Sequence, residues 1–65
     1  MICRDYYFAA WAIEQGILYK IDGKNVILEC DASCIYRLKL DYRKTAKPTF
    51  DRVKKLIRLI HDANR

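Results

Sequence analysis

Tyr36-Arg37-Leu38-Lys39-Leu40-Asp41-Tyr42-Arg43 alternates apolar and charged side chains without a break. A period of two is the signature of a half-buried strand, because successive side chains point to opposite faces of a sheet. Read this way, Tyr36, Leu38, Leu40 and Tyr42 face a core. Arg37, Lys39 and Arg43 then stand on the outer face, which becomes basic. A second reading competes with it. Asp31 can cap a helix whose apolar stripe is Cys34, Ile35, Leu38 and Tyr42. The strand reading is preferred here because it agrees with the segment that precedes it.

That segment is Ile17-Leu18-Tyr19-Lys20-Ile21, then Asp22-Gly23, then Lys24-Asn25-Val26-Ile27-Leu28-Glu29-Cys30. Asp-Gly between two apolar runs is a strong hairpin signal, since a type I′ turn needs positive φ at both central residues. A two-residue loop there sets Ile21 opposite Lys24, Tyr19 opposite Val26 and Ile17 opposite Leu28. The apolar set falls on one face, as a correct register requires. With Asp31-Ala32-Ser33 as a further turn, Cys30 faces Cys34, Leu28 faces Tyr36 and Val26 faces Leu38.

Helices flank this sheet. Residues 4–15 contain good helix formers, and Gly16 stands where a C-terminal cap belongs. Thr49 is a candidate N-cap for a last helix. There Phe50, Val53, Leu56, Ile57 and Ile60 recur at helical spacing. Asp51–Lys55 and Arg58–Asp62 are i,i+4 pairs of opposite charge on its polar side. The expected fold is therefore a single α+β domain over residues 1–65. It has two layers in the order helix, three antiparallel strands, helix (αβββα), with both helices on one face of the sheet.

The same order of elements resembles that of double-stranded-RNA-binding domains. The resemblance is one of topology. Those domains place a lysine-rich motif at the start of the last helix and a Gly-Pro loop between the first two strands. Here these places hold Lys47-Pro48-Thr49-Phe50-Asp51-Arg52-Val53-Lys54-Lys55 and Asp22-Gly23. No family membership follows, and a shared fold does not transfer function.

Composition narrows the function classes. At 65 residues the chain holds one small core, and its apolar fraction of 52% is that of a folded protein. No apolar run approaches the roughly 18 residues of a membrane span. The start of the chain lacks the pattern of a secretory leader, and three cysteines are an odd number for a disulfide framework. A cytoplasmic, reducing location is expected. The net charge is +5, unevenly spread. Residues 1–33 hold three basic and five acidic side chains, whereas residues 34–65 hold ten basic and three acidic. Such asymmetry points to an anionic partner.

Catalytic signatures are missing from the sequence. Cys3, Cys30, Cys34 and His61 offer no C-x-x-C and match no zinc spacing. Buried reduced thiols are the preferred reading, over a cross-strand disulfide or a metal site. No Ser or Cys nucleophile is placed with a His and an acid, and two glycines build no phosphate cradle. No cofactor, metal or small-molecule substrate is expected, and the chain reads as a non-enzyme.

Two binding functions remain. In the first, which is preferred over the alternative below, the chain is a regulator or inhibitor that docks on another protein, or on its own copy, through an aromatic first helix and the basic sheet face. The run Tyr6 to Ile13 is apolar around nearly the whole helix, so a two-layer fold should leave aromatic surface free, with Tyr7, Phe8 and Trp11 as the contact residues. In the second, it binds nucleic acid through Lys20, Arg37, Lys39, Arg43, Lys44 and Lys47. That reading requires Arg37, Lys39 and Arg43 to be exposed and free of internal ion pairs.

Overall fold

The computed structural model describes residues 1–65. The elements are β1 (Ile2–Cys3), α1 (Tyr6–Glu14), β2 (Tyr19–Asp22), β3 (Asn25–Leu28), α2 (Ala32–Lys44) and α3 (Phe50–Ala63). The chain is α+β with a three-stranded antiparallel sheet, as the sequence predicts. The third strand is a different one. Residues 36–43 lie inside α2, and Ile2–Cys3 completes the sheet in the order β1-β3-β2. The order αβββα is thereby corrected to βαββαα, and the topological likeness to double-stranded-RNA-binding domains lapses with it.

Burial shows why the helix wins over residues 36–43. Ile35 and Tyr42 are buried and Cys34 and Leu38 half-buried, which is the helical stripe. Tyr36 is 68% exposed and Leu40 also faces solvent, although a strand would bury both. Asp31 caps the helix, its carboxylate accepting from the Cys34 amide at 2.7 Å.

The hairpin keeps its faces but not its turn. Asp22 pairs with Asn25, Ile21 with Val26 and Tyr19 with Leu28, so Gly23-Lys24 is the two-residue loop. Within that loop Gly23 has positive φ, at 59°, and Lys24 does not. A glycine at the first central position followed by a residue at negative φ fits a type II′ turn rather than type I′. Partners move by two residues, so the period-two alternation survives. Val26 and Leu28 are fully buried beside Cys3, while Ile2, Ile27 and Lys20 form the opposite face.

Helix α1 is held at both ends. Asp5 Oδ1 accepts from the Tyr7 and Phe8 amides at 3.1 and 3.2 Å. At the other end the Gly16 amide donates to Ile13 O and the Ile17 amide to Ala12 O. This is the Schellman arrangement, and Gly16 meets its need for positive φ at 90°. Phe8, Ala9, Ala10, Trp11 and Ala12 are all buried. The expectation of a free aromatic face is corrected, because α2 supplies a cover that a strand would not. Tyr42 meets Phe8 at 5.1 Å and Trp11 at 5.4 Å between ring centroids. These rings form one cluster with Val53, Leu56 and Ile60 of α3 and with Cys3, Val26 and Leu28 of a single sheet face. Phe50, expected in the α3 stripe, is exposed. Thr49 occupies the N-cap position but makes no side-chain capping bond.

Two expected polar features also change. Asp51–Lys55 and Arg58–Asp62 form no ion pairs. Arg52 instead binds Glu14 of α1 through its Nε and Nη1, at 3.1 Å each. Cys30 and Cys34 are joined in a disulfide with Cα atoms 5.8 Å apart, in place of reduced thiols. One helical turn brings them together across the Asp31 cap. The loop so closed is short, and chain-entropy reasoning gives it about 2 kcal/mol. Reduction, or Cys30→Ser, should lower the unfolding free energy read from urea titration by that amount, and the midpoint with it, while leaving the helical signal below the transition unchanged. An unchanged midpoint would show that the bridge contributes nothing to the start of α2.

Candidate functional site

The charged side chains of α2 follow from its phase. Ile35, Leu38 and Tyr42 turn inward, which sends Arg37, Lys44 and Arg43 outward and sets Lys39 at the flank. All four are exposed, and none is in an ion pair. The helix carries one acid in this region, Asp41, which is likewise unpaired by any cation. Arg43 and Lys44 also occupy the last turn, where positive charge complements the helix C-terminus.

The inner flank of α2 borders a cleft of about 480 Å³. Its other wall is the N-terminal segment, Met1 to Asp5, which is tied to β3 by the Leu28 amide donating to Met1 O at 2.9 Å. Lys39 and Arg43 from α2, Lys47 from the following loop and Arg4 from the N-terminal segment line it. The Lys47 ammonium lies 3.4 Å from the centroid of the Tyr42 ring, so an aromatic face rather than a carboxylate holds it. The only acid in the lining, Asp5, is engaged by the α1 amides. Four cations and one carboxylate thus line the cleft, and none of the five is in an ion pair.

Cys3 lies deep in the same cleft. Its thiol donates to Asp5 O at 3.3 Å, and burial, the largest cause, pushes its pKa above the usual 9.0. It stays protonated at neutral pH, which is the wrong state for a nucleophile or a metal ligand. No group of three or more His, Cys, Asp or Glu side chains gathers anywhere in the fold. His61 sits in the last turn of α3.

The expected contact residues divide. Phe8 and Trp11 are buried in the core, and of the three aromatic candidates only Tyr7 is exposed. Lys20 lies on the outer face of the sheet, paired to Glu29 at 3.3 Å, and is separated from the other cations. Arg37 and Lys44 share the outer side of α2. Lys39, Arg43 and Lys47 meet at the cleft. Arg4 was absent from the expected set. No local pattern marks it, since only the pairing of Ile2–Cys3 with β3 brings it to α2. No helix is long and apolar enough to cross a membrane. Comparison with protein-family models, curated proteins and solved structures finds no match to this chain.

Proposed function

We propose that the chain is a non-enzymatic binding protein that holds nucleic acid through phosphate contacts from α2 and the adjoining loop. One observation carries this reading: Arg37, Lys39, Arg43, Lys44 and Lys47 are all exposed, and no carboxylate of the chain pairs with any of them. Cations that are already paired gain little from a phosphate, whereas free ones release counterions when they bind one. With no base-reading element identified, the binding is weak in sequence preference. Nucleic acid as ligand goes with an intracellular site of action, where the Cys30–Cys34 pair would stand reduced.

Docking on an acidic protein is the second reading. It is favoured by Tyr36 and Leu40, which stand exposed among the cations of α2. Phe8 and Trp11 are buried and Tyr7 is the exposed aromatic left on α1, so we rest this reading on α2.

Size-exclusion chromatography with light scattering separates the two, using reduced protein and a mixed DNA/RNA oligonucleotide. A complex should form at low salt and dissolve as salt rises. Five phosphate contacts give a log–log slope of about −3.5 for a single strand and about −4.5 for a duplex. No complex at either salt would set phosphate binding aside in favour of the acidic protein.

A further inference from the structure

The cleft is cationic on both sides. Lys39 and Arg43 of α2 and Lys47 of the following loop form one wall, and Arg4 stands on the N-terminal segment that faces them. Asp5 is the single carboxylate of the lining, and it accepts from the Tyr7 and Phe8 amides. Four cations less one carboxylate leave the lining side chains at +3. Arg37 and Lys44 lie outside the cleft, on the outer side of α2.

A phosphodiester inside a strand suits such a cleft poorly. It carries one negative charge, and its two free oxygens leave the phosphorus on one side while the chain runs past on the other. A terminal phosphomonoester carries about −1.5 to −2 charges at pH 7 and three acceptor oxygens. Those oxygens surround a single ester bond, so cations on opposed walls reach them together. A guanidinium fork binds phosphate bidentately, and each wall supplies one, Arg4 and Arg43.

We infer that the cleft takes the terminal phosphate of a nucleic-acid strand, held between Arg4 on one wall and Lys39, Arg43 and Lys47 on the other, so that the chain prefers a phosphorylated end to the interior of a strand. The inference rests on the phosphate-binding function and specifies which phosphate the cleft selects. Both walls are in place before a ligand arrives. Tyr42 positions the Lys47 ammonium, and pairing of Ile2–Cys3 with β3 fixes the segment that carries Arg4. Little ordering remains to be done on binding, which favours a defined site over a loose ionic contact.

Fluorescence anisotropy tests this at one salt concentration, with an internally labelled single-stranded DNA of about 12 nucleotides. The strand bears a 5′-phosphate, a 3′-phosphate or neither. A phosphorylated end should bind about tenfold more tightly than the unphosphorylated strand, in line with one added charge-assisted hydrogen bond. The arm that gains identifies the end. An unphosphorylated strand longer by about two nucleotides adds similar charge as internal diesters and should gain little. Arg4→Gln should bring the ratio of phosphorylated to unphosphorylated affinity toward one, with little loss for the unphosphorylated strand. Lys44→Gln should weaken all strands alike and leave the ratio unchanged. Circular dichroism melts establish that each variant folds. Should Arg4→Gln fail to fold, the wild-type comparison with the longer strand still decides the matter. Equal affinities with and without the end phosphate, a gain matched by the longer strand, or a ratio unchanged in folded Arg4→Gln would overturn the end assignment and leave general phosphate binding in place. Binding to none of the strands would overturn both.

Discussion

Trp11→Ala should abolish the cooperative urea transition at 25 °C. The indole is 5% exposed and packs on Phe8 and Tyr42, 6.0 and 5.4 Å away by ring centroid. Truncating a buried Trp costs about 3–5 kcal/mol in lost transfer energy and residual cavity. A chain of this length is stable by about 3–10 kcal/mol in total. Over the lower half of that range the loss consumes most or all of the margin. The cavity would also fall between α1 and α2, beside the Phe8 and Tyr42 rings. Trp11→Phe should be far milder. It keeps a ring in place, and it removes a buried indole N–H that has no hydrogen-bond partner. The pair of variants separates packing from polar satisfaction. A Trp11→Ala protein that melts within about 1 kcal/mol of wild type would return Trp11 to the surface and reopen α1 as a docking element.

The same residue shows how far the sequence reads and where it stops. An apolar run around the whole of α1 was correctly legible as a helix needing more cover than one sheet gives. The sequence reading offers a partner outside the chain; the structure supplies the cover from α2 inside it. The sequence of α2 does not choose between them locally. Leu38 and Tyr42 belong both to the alternating set 36, 38, 40, 42 and to the helical stripe 34, 35, 38, 42. What decides is long-range, since the Tyr42 ring packs on both Phe8 and Trp11 of α1. The hairpin was legible because its faces depend only on parity, which a shift of the turn to Gly23-Lys24 preserves. Strand β1 was not, because two residues carry no period. With β1 went Arg4 and one wall of the cleft, whereas Lys39, Arg43 and Lys47 were readable as a basic cluster before their arrangement was known.

Reversing both cations that α2 contributes to the cleft, Lys39→Glu with Arg43→Glu, should weaken oligonucleotide binding about 100-fold at low salt and flatten the salt slope by about 1.4–1.8. Neither side chain is buried or ion-paired, so stability should change little. Arg43→Glu adds a cost of about 0.3–1 kcal/mol by setting a negative charge at the helix C-terminus. A melt of the variant measures that cost separately. Net charge is the confounding variable, because two reversals of two units each take the chain from +5 to +1 and weaken attraction to any polyanion. The proper control is Lys20→Glu with Lys24→Glu, which reaches the same net charge from the hairpin. Lys20 already answers to Glu29 and lies apart from α2, so a localised site predicts a much smaller loss there. Equal losses in the two doubles would mean that the ligand senses the charge of the whole molecule. A loss confined to the α2 double would mean that the phase of one helix, fixed by Ile35, Leu38 and Tyr42 turning inward, sets where the phosphates go.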